Sequence, residues 1–500
     1  MVVDETNDSH VPARSVDVVI VGAGLSGINA AYRLQERNPG LSYVIVENRE
    51  RIGGTWDLFR YPGVRSDSDI YTLSYPFKAW DGRKAIADGA DIRQYLVDVA
   101  TENGIDRHIE YGVKVTAAQF DSRTDRWTVD ATVSGTPTQF RTRFLYLCTG
   151  YYDYEQGHAP DFDGLADFTG TVVHPQFWPE DLDYASKKVV VIGSGATAIT
   201  LVPSLSREAA LVTMLQRSPT HISVLPSVDK RAQLLRKYLP TMAAHRMARW
   251  MNTVLSLGFY FYCRRFPARA RARLRGLALR FLPAGFDVDT HLNPSYQPWD
   301  QRLCVVPDAD LYRAIRAGKA DIVTDTIDHF DATGIALSSG AHLDADIVVM
   351  ATGLKIQAFG GITLAVDGVT VDPHERFLYR GRMLEGVPNF AWIFGYTNAS
   401  WTLRSDMTAR SVAELLDYMD SHGYTHAYPD RNGKSIPELP MVDLQSGYIQ
   451  RAADVLPKSS TERPWKVGAN VLLDYIDHLR GQVTDSMTFG RVTTPATADR

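Results

Sequence analysis

The sequence predicts an α/β fold made of two Rossmann-like dinucleotide-binding domains, the second carrying a helical insert. Three observations lead there. Glycine-rich turns follow short apolar runs at Gly22 and again at Gly193. Two further apolar runs, starting at Phe144 and Ile347, each close on a Thr-Gly pair, Thr149-Gly150 and Thr352-Gly353. The chain has 500 residues, enough for about three domains with large cores.

In chain order, Asp17 to Val21 is an apolar run suited to a buried parallel strand. Gly22-Ala23-Gly24-Leu25-Ser26-Gly27 follows directly, and Ile28 to Arg37 has helical spacing. Strand, tight turn and helix in that order make a dinucleotide unit. Glycine lets a pyrophosphate approach the helix N-terminus, where free N–H groups and the helix dipole favour an anion. The next strand, Tyr43 to Val46, ends in Glu47, twenty residues past Gly27. A carboxylate there accepts hydrogen bonds from a ribose 2′-hydroxyl, so Glu47 specifies an unphosphorylated adenosine ribose.

The second unit repeats the plan with one telling change. Lys188 to Ile192 is the strand, Gly193-Ser194-Gly195-Ala196-Thr197-Ala198 the turn, and Leu211 to Gln216 the next strand, which ends in Arg217. A guanidinium at that tip forks onto a phosphate, which favours NADP(H) over NAD(H), and Ser218 beside it adds a hydroxyl donor. The two Thr-Gly turns are a partial internal echo and mark crossings between the nucleotide domains.

The formal charge of −5 gives no global field for nucleic acid. Cys148, Cys263 and Cys304 are far apart and form no C-x-x-C pair, which favours a reducing compartment and disfavours a disulfide reductase. The first fifteen residues lack the basic start and apolar stretch of a signal peptide, so a cytoplasmic protein is expected. One segment departs from this average. From Lys230 to Phe286 there are 13 Lys or Arg residues and no Asp or Glu, and Trp250 to Cys263 is an uncharged, largely apolar stretch of 14. That is too short to span a bilayer. Three readings stand: a helical subdomain whose arginines are solvated or paired elsewhere, a lining of the path to a hydrophobic active site, or a basic surface in peripheral contact with an anionic membrane, at its inner face.

Between the two glycine turns the chain reads Phe168-Thr169-Gly170-Thr171-Val172-Val173-His174-Pro175-Gln176-Phe177-Trp178-Pro179. This arrangement resembles the flavin-dependent Baeyer-Villiger monooxygenases, and the resemblance extends over nearly the whole chain. Gly53 to Tyr71, Trp178 to Tyr184, Leu215 to Pro219 and Gly395 to Leu403 look most like the ethionamide-activating branch, which accepts ketones and also oxidises thioamide sulfur. The resemblance implies a discontinuous FAD domain, 1–170 and 352–500, and an NADPH domain, 171–351, with the insert at about 230–297. On the FAD side it implies Gly22, Gly24, Ser26, Gly27, Glu47, Thr55, Trp56, Asp57, Arg65, Ser66, Asp67 and Val115. On the NADPH side it implies Gly193, Ser194, Gly195, Ala196, Thr197, Ala198, Arg217 and Ser218.

Two residues then carry the expected chemistry. Asp67 matches the aspartate that reaches the family's active site, and Arg302 the arginine placed over the flavin ring. They stand 235 residues apart, so their pairing is implied by the resemblance alone. A fixed, always ionised guanidinium can stabilise the flavin C4a-peroxide and the charge that develops on the former carbonyl oxygen. The implied reaction turns ketones into esters or lactones with NADPH and O2, and extends to sulfides or thioamides. His174 is expected to act indirectly, by tying the linker to cofactor loading. Gln301 stands where many members carry a lysine that helps hold the NADPH phosphate. Other readings are a sulfur- or nitrogen-oxidising flavin monooxygenase without ketone activity, against which Trp178-Pro179 speaks, and a dinucleotide sensor, which would need neither Asp67, Arg302 nor Trp178.

Overall fold

The computed structural model describes residues 13–442, 446–468 and 470–492. The strand Ala13–Val21 runs parallel to Tyr43–Glu47 on one side and to Thr136–Leu147 on the other. Its apolar run is buried on both faces, with Val18, Val19 and Ile20 wholly inaccessible. That is why it reads as continuous apolar sequence and does not alternate. Each such side chain contributes about 1.5–3 kcal/mol on burial. Helix Leu25–Arg37 covers one face and packs on the long helix Trp401–His422.

Nine strands make up this first sheet. An antiparallel wing, Val113–Asp121 and Arg126–Val133, continues to Thr363–Val366 and Val369–Thr370, and Phe390–Trp392 pairs with the end of Thr136–Leu147. The second sheet has five strands, all parallel, in the order Ala320–Thr324, Leu211–Gln216, Lys188–Ile192, Ile347–Met350 and Thr171–Val173. Helix Ala196–Leu205 follows its glycine turn.

The chain crosses between the sheets twice, directly after the two Thr-Gly turns. The outgoing strand Tyr152–Gly157 and the returning strand Leu354–Ile356 pair antiparallel, so both crossings form one ribbon. His174 touches that ribbon: its ring packs on Gly157, leaving no room for a Cβ there. Its Nδ1 accepts from the backbone N–H of Gln176 at 3.2 Å and caps the short helix Pro175–Phe177. Burial holds the imidazole below its usual pKa.

The basic segment is helical: Lys230–Tyr238, Thr241–Arg265 and Pro267–Phe281. Several of its cations are engaged, Arg231 with Asp229, Arg264 with Asp300 and Arg275 with Asp289. Among the described residues no helix is long and apolar enough to cross a membrane.

Candidate active site

Both glycine turns open into one cleft of about 1200 Å³. Gly22 has φ +107°, and a Cβ on it would lie 2.6 Å from the carbonyl oxygen of Cys148. Gly193 has φ +132°, and its Cβ would collide with the carbonyl of Ala351. Only glycine fits such a turn. Gly27 serves packing instead, because a Cβ there would strike the carbonyl of Gly22. Gly195 differs again: its missing Cβ leaves open space toward the cleft, the room a pyrophosphate needs.

Glu47 lines the cleft and is almost fully buried. One carboxylate oxygen accepts from the N–H of Ala23 at 2.7 Å and the other from the N–H of Arg49 at 2.9 Å. Burial raises its pKa, and these two N–H groups oppose the rise. Each oxygen keeps a second lone pair for a ribose hydroxyl. At the equivalent tip of the second unit, Arg217 is exposed on the cleft rim, and the carbonyl of Ser218 accepts from the Ser194 hydroxyl at 3.1 Å.

In the same cleft, Arg302 and Asp67 meet. The guanidinium Nη2 lies 2.7 Å from the Asp67 carboxylate, with the two side chains 33% and 30% exposed. Both line the cleft, so the pair is anchored yet reachable. Helix Ile70–Leu73 fixes the Asp67 side: the Asp69 carboxylate accepts from the N–H of Thr72 at 2.9 Å and caps it.

Of the remaining expected residues, Gly24, Ser26, Thr55, Trp56, Arg65, Ser66, Val115, Ala196 and Thr197 also line the cleft, as does Gln301. Arg65 is held by Asp310 at 2.5 Å. Gly27, Asp57 and Ala198 are not among the lining residues. Ala198 is wholly buried at the helix start. Asp57 turns inward to Arg49 at 2.7 Å and Arg51 at 3.4 Å, so its charge is neutralised inside the loop.

The expected pocket segment from Gly395 to Leu403 sends Tyr396 and Trp401 to the cleft. The Trp401 indole donates to the Ser26 hydroxyl at 2.8 Å. Tyr396 donates to Asp474 at 2.8 Å, with the Arg404 guanidinium 4.0 Å over its ring. Three tyrosines were not anticipated. Tyr151 stacks on Trp401 with centroids 5.2 Å apart, and its hydroxyl lies 2.5 Å from that of Tyr152. Burial raises the Tyr151 pKa, opposed by the nearby Arg302. Tyr61 reaches Thr197 across the cleft, and burial pushes its phenol up to about 12. Tyr151 and Tyr152 follow Thr149-Gly150 directly, so the position after the crossing turn was an available signal.

Two dinucleotide-type turns facing one cleft, with a guanidinium–carboxylate pair in the same cleft, define a two-sheet α/β oxidoreductase. The family model of NAD(P)-binding Rossmann-like domains matches residues 20–86, the region of the first turn. The FAD-containing monooxygenase EthA of Mycolicibacterium smegmatis is 52% identical over 459 residues, covering 92% of this chain and 93% of that protein. EthA of Mycobacterium tuberculosis is 50% identical over 471 residues, covering 94% and 96%. Among solved structures, an oxidised steroid monooxygenase bound to NADP superposes with a TM-score of 0.75 at 24% identity, covering 95% of this chain and 100% of that one. Cyclohexanone monooxygenase with bound ε-caprolactone gives 0.73 at 18%, with 95% and 100% covered. The chain belongs to the FAD-containing monooxygenases of the EthA type, and its fold is that of the Baeyer-Villiger enzymes.

Proposed function

We propose that this monooxygenase uses NADPH and O2 to convert small hydrophobic ketones into esters or lactones, and that it also oxidises sulfides or thioamides. The observation that carries this reading is the Arg302–Asp67 contact of 2.7 Å, set in one cleft with two glycine turns of opposite ribose preference. FAD is assigned to the discontinuous domain 1–170 and 352–500, and NADPH to 171–351. The cleft fits both: it has the volume, the bare space over Gly195 and the acceptor at Glu47. Gly22, Gly24, Ser26, Glu47, Thr55, Trp56, Arg65, Ser66, Asp67 and Val115 would hold FAD. Gly193, Ser194, Gly195, Ala196, Thr197, Arg217 and Ser218 would hold NADPH. Gly27 and Ala198 support these turns from behind, and Asp57 supports the Gly53-Gly54 loop.

Held by these residues, FAD would supply the activation of oxygen and NADPH the reducing hydride. The chain supplies the field and the enclosure. Arg302 presents N–H donors to the carbonyl oxygen as negative charge builds there. Asp67 fixes the guanidinium in one orientation, so no reorganisation is needed during reaction. Tyr151 and Trp401 form an aromatic wall that limits water. The reading includes a cytoplasmic location. The test is anaerobic reduction by NADPH, then addition of O2 with a panel of ketones and a thioether, read by mass. A product one oxygen atom heavier than its ketone is expected. Sulfoxide formation with no ketone converted would reassign the chain to sulfur or nitrogen oxidation.

A further inference from the structure

The long insert helix Thr241–Arg265 presents two opposite faces. Its inner face grips both loops of the proposed catalytic pair. Arg249 donates to the carbonyl oxygens of Tyr71, Thr72 and Ser74 at 3.1, 2.9 and 2.7 Å, just after Asp67. Arg264 pairs with Asp300 at 2.7 Å and Tyr260 packs on the Trp299 ring at 5.5 Å, just before Arg302. The outer face carries Met247, Trp250, Val254 and Phe261 at steps of three, four and seven residues, each about half exposed. Trp250 meets Tyr475 edge-on at 5.9 Å, which extends the apolar surface onto helix Val471–Arg480. There Leu473, Ile476 and Leu479 are exposed, Leu479 to 65%. The acids of that helix point elsewhere, Asp474 to Tyr396 and Arg404 and Asp477 to Arg463. Helix Lys230–Tyr238, packed on the long helix, adds Leu234 and Tyr238.

We propose that this surface docks peripherally on an anionic lipid bilayer. The apolar side chains would enter the headgroup boundary and the surrounding cations would meet lipid phosphates. Charge complementarity selects the occupant. Lys230, Lys237, Arg246, Arg265, Arg269, Arg273 and Arg280 are exposed and make no ion pair with a described acid, and no Asp or Glu lies between Lys230 and Phe286. A second copy of the same patch would bring these cations face to face, a repulsion that a bilayer of negative headgroups replaces with attraction. The docking stands on this geometry. Its benefit rests on the proposed ketone reaction, since apolar ketones concentrate in lipid, beside the helix that grips the segments flanking Asp67 and Arg302.

The experiment is co-sedimentation of the FAD-loaded protein with vesicles of phosphatidylcholine alone or mixed with phosphatidylglycerol, at low and high salt. Binding to the mixed vesicles is expected at low salt, with release as salt rises. Charge reversal at Arg265→Glu, Arg269→Glu and Arg273→Glu should weaken it about fivefold or more per position. The apolar variant Trp250→Ser, Val254→Ser, Leu479→Ser alters exposed sites only; it should stay in the supernatant while converting a water-soluble ketone at the parent rate. Parent protein that ignores the mixed vesicles at low salt overturns the proposal, and so does vesicle binding that survives in both variants. A parent dimer that the apolar variant dissolves would give the face to a second copy and overturn it too. Vesicle binding without any ketone conversion leaves the docking supported and sinks the reaction instead.

Discussion

The two glycine turns use one backbone device and differ in the side chains around it. Each sits at the end of a parallel strand in a positive-φ conformation, and each is closed from behind by the carbonyl just before a Thr-Gly pair, Cys148 in one and Ala351 in the other. Around this common frame, the first turn is enclosed: Glu47 is buried, Trp401 donates to Ser26, and Gly27 lets the helix press onto the strand. The second is open, with Arg217 exposed, free space over Gly195, and Ala198 where the first turn has Gly27. Backbone N–H groups accept any pyrophosphate. The side chain at the next strand tip chooses the ribose, and enclosure decides whether the nucleotide stays or exchanges. The contrast matches the proposed assignment of a resident flavin to the first turn and a shuttling coenzyme to the second.

Breaking each turn separately gives the largest expected effect. Gly22→Ala should abolish a yellow, soluble product, because its Cβ would meet the Cys148 carbonyl at 2.6 Å. Gly195→Ala adds a methyl to empty space, so it should keep its melting temperature and flavin absorbance yet be reduced slowly by NADPH. If both variants behave alike, the contrast between the turns is wrong.

Arg302→Ala should still bind FAD but lose about a hundred- to a thousandfold in ester formation, the usual consequence of removing one preorganised donor. The decisive measurement is ester formed per NADPH consumed, with hydrogen peroxide as the waste product. A variant that stays coupled would remove Arg302, and Asp67 with it, from the chemistry.

Arg217→Ala should raise the KM for NADPH about ten- to 150-fold, since a charge-assisted phosphate contact is worth about 1.5–3 kcal/mol. The KM for NADH should hardly move. Equal use of both coenzymes by the parent protein would refute the assignment of Arg217. The smallest change is expected from Ala198→Gly, which makes the second turn resemble the first at a cost of about 1 kcal/mol of helix stability. Calorimetry should show a drop of a few degrees, and cofactor preference should not change.

The elements that were legible in sequence are those specified locally. A run such as Asp17 to Val21 followed by Gly22 can be little other than a buried strand and its turn, and the structure agrees. Asp67 and Arg302 could not be paired by any local rule, because tertiary folding alone brings them together. The family resemblance implied their meeting, and the 2.7 Å contact shows it. Asp57 shows the opposite case. It follows a glycine-rich loop in sequence, but three nearby arginines, Arg49, Arg51 and Arg60, draw its charge inward and away from the cleft. Tyr61 was missed because its partner Thr197 belongs to the helix that follows the second glycine turn, a distance in sequence that periodicity does not cover.

The paired crossing ribbon sets the chain's modular architecture. The first sheet draws strands from both sides of the second in sequence, from Ala13–Val21 to Phe390–Trp392, whereas the second draws all five from between Thr171 and Met350. The second sheet is therefore a guest within a host, and its entry and exit strands lie side by side, with Tyr152 opposite Ile356. A short linker across that neck could replace the guest without breaking a strand of the host sheet. The reverse excision would leave the host's two halves on separate chains. On the proposed assignment of the two cofactors, grafting one contiguous segment should exchange the coenzyme preference, whereas no single cut should move the flavin site.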